Sequence, residues 1–293
     1  MPPSVLVFTG VVSVQVGAGL AARLFTQIPP AAVTALRLWT AAALMAVAGA
    51  RPLRQNLAAL IRRRSWRDVA VVAAFGLTLA VMNFSIYQAF SRIPLGIAVT
   101  IEFLGPLAVA VATSRRLIDL LWVALAGAGV ALLTGAGNPA GGHGINLVGL
   151  AFALLAGASW AAYIILSRAT GRRFPGASGL TIAMLIAAVV IVPVGVTAGR
   201  GALLRPSILA TGLVIGLLSS IIPYTLELEA LRRVPARVFG IWMSLEPAVA
   251  ALVGLVMLGE ALAVSEWAAI VCVMAACAGA ARGSARPSQA PEA

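Results

Sequence analysis

The sequence predicts an all-α membrane protein in which ten transmembrane helices form two inverted repeats of five helices. Three observations lead to this prediction: the composition, a series of ten apolar segments, and pairs of similar motifs in the two halves. Of the 293 residues, 61% are hydrophobic and only 10% are charged, whereas a soluble domain contains about 25% charged residues. So few charged side chains cannot cover a surface that faces water, and we therefore expect the chain to lie in a lipid bilayer.

The apolar segments are long enough to cross a membrane, which takes about 20 mostly apolar residues. Clusters of proline, glycine and arginine separate them along the chain. The predicted spans cover approximately residues 4–24, 30–50, 68–91, 94–112, 117–136, 146–167, 176–198, 207–231, 235–258 and 263–281. The loop 51–67 leaves room for a short helix on the membrane surface, and residues 283–293 are predicted to form a disordered cytoplasmic tail.

The distribution of arginine predicts the orientation of these spans. The chain has 21 basic residues, all arginine. With a cytoplasmic N-terminus, Arg23, Arg92, Arg200 and Arg205 fall outside, Arg37 lies within the second span, and the other sixteen lie on the cytoplasmic side. Because positively charged loops are retained in the cytoplasm, both termini are predicted to be cytoplasmic. The net charge of +12 does not predict nucleic-acid binding, since the arginines are not gathered on one face.

Similar residues recur in the two halves at a nearly constant offset. Arg23 and Pro30 match Arg168 and Pro175 at an offset of 145 residues. Ala89, Arg92 and Pro94 match Ala230, Arg233 and Pro235 at an offset of 141. Trp122 matches Trp267 at an offset of 145. The predicted repeats are residues 1–140 and 141–282. Five spans are an odd number, so the second repeat would enter the membrane upside down. Secondary transporters use such inverted repeats, with the substrate site near the midplane between them.

The fourth and ninth predicted spans carry the most informative pair of motifs. Segments 94–112 and 235–251 each open with a proline and have a second proline twelve residues later. Glu102 and Glu246 lie about 12 and 16 Å into their spans at about 1.5 Å per residue. Charge inside a membrane is costly, so both glutamates are candidates for a functional site. The alternative is that each satisfies a backbone gap left by the nearby proline, or pairs with Arg37.

Two further charged residues lie within predicted spans. Arg37 could bind the carboxylate of a substrate or act as a counter-ion for a glutamate. Glu227 is predicted to face a cavity, because it lies deeper than Glu229. Glu229 precedes Arg232 and Arg233 by three and four residues, a spacing typical of an ion pair on a helix surface.

Uncharged polar and aromatic side chains complete the predicted site. These are Gln15, Asn83, Tyr87, Trp160 and Tyr163, with Gln88 and Ser159 as further candidates. Hydrogen bonds between closely packed helices are the alternative role for such residues. The sequence contains no phosphate-binding loop and no HExxH zinc motif. We therefore predict no cofactor, no metal and no nucleotide-driven transport.

Five segments carry a resemblance to a known family. VTALRL (33–38), PLGIAVTIEFLGPLAVA (94–110), GASWAAYI (157–164), IPYTLELEAL (222–231) and MSLEPAVAALVGLVMLGEAL (243–262) resemble the drug/metabolite transporter superfamily and its EamA-type exporters. The resemblance covers essentially the whole chain. It implies a cavity lined by spans 1, 3, 4, 6, 8 and 9, with Arg37, Glu102, Glu227 and Glu246 at motif positions. It also implies transport by alternating access in a bacterial inner membrane.

The resemblance is greatest to exporters of small amino acids, which implies threonine and homoserine as the first candidate substrates. The expected partners are the amino acid, the lipid bilayer and, if export is proton-coupled, protons. Facilitated diffusion stays open at this point. So does a broader drug or metabolite exporter, for which Phe103, Trp160 and Trp242 would provide aromatic surface. A membrane scaffold or an intramembrane enzyme is the alternative from another class.

Overall fold

The computed structural model describes residues 1–50, 53, 65–114, 116–133, 145–174 and 177–283. Within these ranges the secondary structure is helical, with no strand. The predicted disordered tail, residues 283–293, lies outside the described residues except for Gly283, which is the last residue of a helix. Most of the predicted surface segment 51–67 also lies outside them.

Many of the helices correspond to a predicted span, and several spans are divided into two helices, here marked a and b. The helices are α1 (Pro3–Leu24), α2 (Pro30–Ala48), α3 (Trp66–Phe90), α4a (Leu95–Glu102), α4b (Leu104–Thr113), α5 (Ile118–Leu133), α6 (Leu147–Gly171), α7a (Ser178–Val190), α7b (Val192–Gly199), α8a (Pro206–Gly216), α8b (Ile222–Leu231), α9a (Ala236–Met243), α9b (Glu246–Val253) and α10 (Val264–Gly283). A 3₁₀ turn at Arg200–Leu204 follows α7b, and π-helical turns at Leu217–Ile221 and Gly254–Leu258 follow α8a and α9b.

Length and hydropathy identify eight helical segments of the described chain that can cross a membrane. A ninth is added when α7a and the continuation of α7b, which are bent by 46° to each other, count as one span. Helix α5 has 16 residues, fewer than the approximately 20 that a span needs. The predicted fifth span, 117–136, continues past Leu133 into residues outside the described ranges. The all-helical membrane architecture is therefore confirmed at the level of eight or nine spans.

Internal prolines determine where the fourth and ninth helices break. A proline has no N–H, and its ring clashes with the carbonyl of the residue four positions earlier. Pro106 accordingly lies four residues after Glu102, the last residue of α4a. Pro247 lies four residues after Met243, the last residue of α9a. The spans predicted at 94–112 and 235–258 are thus each present as one span made of two helices, and the span predicted at 176–198 bends at Ile191, two residues before Pro193.

The fourth helix packs against both α9b and α6. Helix α3 packs along α6, α5 along α10, and α1 along α8b, while α4a packs against α9b. The carboxylate of Glu260, in the segment after α9b, accepts a hydrogen bond of 2.8 Å from the N–H of Leu95. This N–H belongs to the first turn of α4a, where a helix has no internal acceptor. Glu260 therefore ties the end of the ninth helix to the start of the fourth.

The break in α4 packs directly against the backbone of α6. A methyl group at Gly105 would overlap with the carbonyl of Gly157, and one at Gly157 would lie 2.9 Å from the carbonyl oxygen of Glu102. Both positions require glycine because the two backbones occupy the space that a Cβ atom would need. The contact determines how far Glu102 lies from α6.

We predict that Gly105→Ala destabilises the protein, because the added methyl group must push α4b away from α6. The expected loss is about 1–3 kcal/mol, the usual cost of overpacking, and would appear as a lower melting temperature of the purified protein in detergent. Gly127→Ala is the matched control, since a Cβ atom there meets no other atom within 4 Å. Equal melting temperatures for the two variants would contradict the proposed contact.

Candidate functional site

A cavity of about 160 Å³ lies between the helices at the level of the two breaks. Residues of α1, α2, α3, α4, α6, α8 and α9 line it. Its charged, polar and tryptophan side chains are Gln15, Arg37, Asn83, Glu102, Trp160, Tyr163, Ser219, Tyr224, Glu227 and Glu246. Eight of the nine predicted site residues are thus in one cavity. Arg37 adds the second helix to the set of spans that were predicted to line it.

Arg37 is held in the cavity by a backbone carbonyl that a proline has released. Its guanidinium donates a hydrogen bond of 2.9 Å to the carbonyl oxygen of Ser219. Pro223, four residues later, has no N–H to donate to that carbonyl. Among the described residues Arg37 forms no ion pair, so a carbonyl group and not a glutamate is its direct partner. The Nε atom of Arg37 is buried and has no hydrogen-bond partner in the described chain.

Glu246 begins α9b and is bound by a side chain of the first helix. It is 7% exposed, and its Oε1 accepts a hydrogen bond of 2.8 Å from Nε2 of Gln15. Its Oε2 is buried without a partner among the described residues, as is the Oε1 of Gln15. Glu246 therefore does not satisfy the backbone gap left by Pro247, which was one alternative. Each of the two side chains therefore keeps one acceptor oxygen without a partner.

Glu102 and Glu227 add two more carboxyl groups to the same cavity. Glu102 interacts electrostatically with Arg37 and with Glu246. Glu227, on α8b, interacts with Tyr163, Tyr224 and Glu246. The cavity lining therefore contains three carboxyl groups and one guanidinium group. Arg37 alone cannot balance all three carboxyl groups when they are ionised.

Three predicted candidates, Tyr87, Gln88 and Ser159, do not line the cavity. Tyr87 is 0% exposed, and its ring lies 5.5 Å from the guanidinium carbon of Arg37. It packs against the guanidinium group of Arg37 and is not among the residues that line the cavity. The amide oxygen of Gln88 accepts a hydrogen bond of 2.8 Å from Arg92 at the end of α3. Asn83 does line the cavity, while its Nδ2 donates to the carbonyl of Leu79 in its own helix at 2.8 Å.

One of the three aromatic residues that were proposed for a broader exporter lines the cavity, which Phe90, Tyr163 and Tyr224 also line. That residue is Trp160. Phe103 packs edge-on against Trp160 with ring centroids 4.8 Å apart. Trp242 packs with the apolar cluster of Leu6, Val7 and Val11.

Sequence reasoning missed Ser219 and gave Tyr224 no role of its own. The available signal was Pro223, because an internal proline releases the carbonyl of the residue four positions earlier. Glu229, in contrast, behaves as predicted. It forms exposed ion pairs with Arg232 and Arg233, in which Nε of Arg233 lies 2.9 Å from the carboxylate.

Proteins of known name are similar to this chain over nearly all of its length. The chain is 40% identical over 277 residues to "Threonine/homoserine exporter RhtA" of Salmonella typhimurium (strain LT2), which covers 94% of this chain and 90% of the relative. It is 39% identical, with the same coverage, to the protein of that name from Escherichia coli (strain K12). A solved crystal structure with 21% identity has a TM-score of 0.62 and covers 96% of this chain and 97% of its own, which shows a similar overall fold.

The model of the EamA-like transporter family matches residues 147–282. The relatives named above extend the similarity to the first half of the chain. The resemblance that the sequence motifs predicted is thereby confirmed, and the chain belongs to the EamA-like transporter family.

Proposed function

We propose that this protein exports threonine and homoserine across a bacterial inner membrane. The observation that carries the proposal is the 40% identity, over 94% of this chain, to exporters named for these two amino acids. The cavity volume of about 160 Å³ supports a small substrate, because an engineered cavity of about 150 Å³ accommodates benzene. Small amino acids are of this size class.

The charged groups of the cavity suit both ends of an amino-acid zwitterion. Once water is lost, the ammonium and the carboxylate each need a charged or hydrogen-bonding partner. Arg37 has a free Nε atom and would bind the carboxylate. Glu246 has a free Oε2 atom and would bind the ammonium group, with Glu102 as the second acceptor. Hydrogen bonds between such charged groups are among the strongest that proteins form.

Alternating access would use ten spans arranged as two inverted repeats, residues 1–140 and 141–282, with both termini in the cytoplasm. The matching backbone of the two broken helices supports this arrangement. Pro94 and Pro235 both precede their helix with ψ near 142°, and both helices end four residues before an internal proline. The family match at residues 147–282 coincides with the second proposed repeat. Movement at the two breaks would expose the cavity to either side in turn.

Proton exchange is the proposed source of energy. The cavity has two carboxyl groups more than it has guanidinium groups. A proton can neutralise Glu246 when no substrate is bound, whereas the substrate ammonium group would replace that proton while the substrate carboxylate pairs with Arg37. Such competition would couple export of the amino acid to entry of protons. Membership of a transporter family argues against the scaffold and enzyme alternatives, and the cavity volume of about 160 Å³ argues against a broad exporter of larger compounds.

Counterflow of labelled threonine into proteoliposomes that hold the purified protein tests the proposed function. We expect uptake that unlabelled homoserine competes away and that a pH gradient drives above equilibrium. Absence of flux in folded, reconstituted protein would contradict the substrate assignment. Competed flux without a response to the gradient would contradict proton coupling and indicate facilitated diffusion.

Glu246→Gln is expected to abolish threonine transport without unfolding the protein. Glutamine keeps an oxygen acceptor for the Nε2 of Gln15 but removes the charge that would bind the ammonium group or a proton. Transport is measured by counterflow, and folding by size-exclusion chromatography and melting temperature. Glu229→Gln is the matched control, because Glu229 lies in an exposed ion pair of the kind that contributes little to stability. Normal transport by folded Glu246→Gln would contradict its role.

Arg37→Lys is expected to raise the apparent KM for threonine roughly tenfold or more. The planar guanidinium group of arginine can bind the carbonyl of Ser219 and a substrate carboxylate at the same time, whereas the ammonium group of lysine lacks this geometry. The KM is measured by the concentration dependence of uptake. Arg205→Lys, at an exposed position before α8a, serves as the control. An unchanged KM for Arg37→Lys would show that the carboxylate binds elsewhere.

A further inference from the structure

Three polar side chains of the cavity have no role in binding the two charged ends of the zwitterion. Tyr163 lies on α6, and Tyr224 and Glu227 lie one turn apart around the start of α8b. The ring of Tyr163 packs against Phe75 with centroids 5.2 Å apart, and both tyrosine rings pack against the same apolar cluster. These contacts hold both tyrosine rings in place, and both residues line the cavity.

The hydroxyl and carboxyl groups of these side chains interact electrostatically, but no hydrogen bond joins them within the described residues. Tyr163 interacts electrostatically with Tyr224 and Glu227, and Tyr224 also interacts with Arg37. No hydrogen bond of either hydroxyl to another residue is present within the described ranges. All three side chains are half-buried in the cavity lining, so two donors and a carboxyl acceptor are left for a group that enters the cavity.

We infer that Tyr163, Tyr224 and Glu227 form a subsite that binds the hydroxyl group of the substrate's side chain. The inference rests on the proposed function, since threonine and homoserine share an α-amino acid group and differ from apolar amino acids by this hydroxyl. A hydroxyl both donates and accepts. It can accept from a tyrosine and donate to Glu227 at the same time, which a methyl group cannot do.

The placement of the three side chains on two helices suits both substrates. Tyr224 and Glu227 lie one turn apart on α8b, and Tyr163 lies on α6 in the lining of the same cavity. The hydroxyl is on the β carbon in threonine and on the γ carbon in homoserine, so it lies at a different distance from the charged end in each. We assign Tyr224 to the hydroxyl of threonine and Tyr163 to that of homoserine, with Glu227 as the shared acceptor.

The subsite would determine specificity because substrates that lack the hydroxyl would bind more weakly. Valine has the shape of threonine with a methyl group in place of the hydroxyl. An apolar pocket separates such a pair weakly, whereas a site built to hydrogen-bond a hydroxyl strongly rejects the analogue without it, because its own polar groups are left unpaired. The wild-type protein should therefore transport threonine in strong preference to valine.

The test compares uptake of labelled threonine, homoserine and valine into proteoliposomes that hold the wild-type protein, Tyr224→Phe or Tyr163→Phe. We expect a threonine-to-valine ratio of uptake of roughly ten or more in the wild type. Loss of one neutral hydrogen bond should lower this ratio about two- to tenfold in Tyr224→Phe, with valine uptake unchanged. Tyr163→Phe should lower the homoserine-to-valine ratio in the same way. Because both rates come from one preparation, the ratio does not depend on the amount of active protein.

Ser167→Ala is the matched control. It removes a hydroxyl one turn from Tyr163 on α6 that bonds to the carbonyl of Ile164 and does not line the cavity. Unchanged ratios in both tyrosine variants, or equal uptake of threonine and valine by the wild type, would overturn the subsite while export of small amino acids stands. Absence of threonine and homoserine flux in the wild type would overturn the proposed function together with the subsite.

Discussion

The hydrogen bond between Arg37 and the carbonyl oxygen of Ser219 is the interaction on which the arrangement of the site depends. A guanidinium group inside a bilayer is costly unless polar partners surround it. Pro223 helps to provide such a partner, because it has no N–H to donate to the carbonyl four residues earlier. The bond joins α2 to the π-helical turn of α8, two segments from different halves of the chain, and so positions the only basic side chain of the cavity lining.

The same backbone chemistry shapes the other side of the cavity. In a bilayer, interrupted helices are tolerated where the freed groups face protein or a polar cavity. The breaks at Glu102 and before Glu246 lie on helices that pack against each other, so both carboxyl groups reach one space. Close glycine contacts between α4 and α6, and the bond from Gln15 to Glu246, then determine where the charges lie.

The polar groups in and around the cavity fall into two sets: groups that keep an atom free for a ligand, and groups that support them. Arg37 and Glu246 each have one hydrogen bond to the protein and one buried atom without a partner. They are thus positioned and still able to bind a ligand. Tyr87 lies behind Arg37 and is fully buried, which stabilises the guanidinium without occupying the cavity. This separation between supporting and free groups is what a binding site for a charged small molecule requires.

The sequence by itself determined the membrane class, most of the helix boundaries and the small set of intramembrane charges, because these follow from hydrophobicity and from the rarity of ionisable residues. It also contained the prolines from which the helix breaks could have been derived. Only the tertiary structure decided that Gln15 binds Glu246, 231 residues away, and that Trp160 lines the cavity whereas Tyr87 does not. Helices in lipid are apolar on every side, so hydrophobic periodicity does not define which face points inward. Packing between distant helices, which depends on glycine contacts and buried hydrogen bonds, sets that rotation.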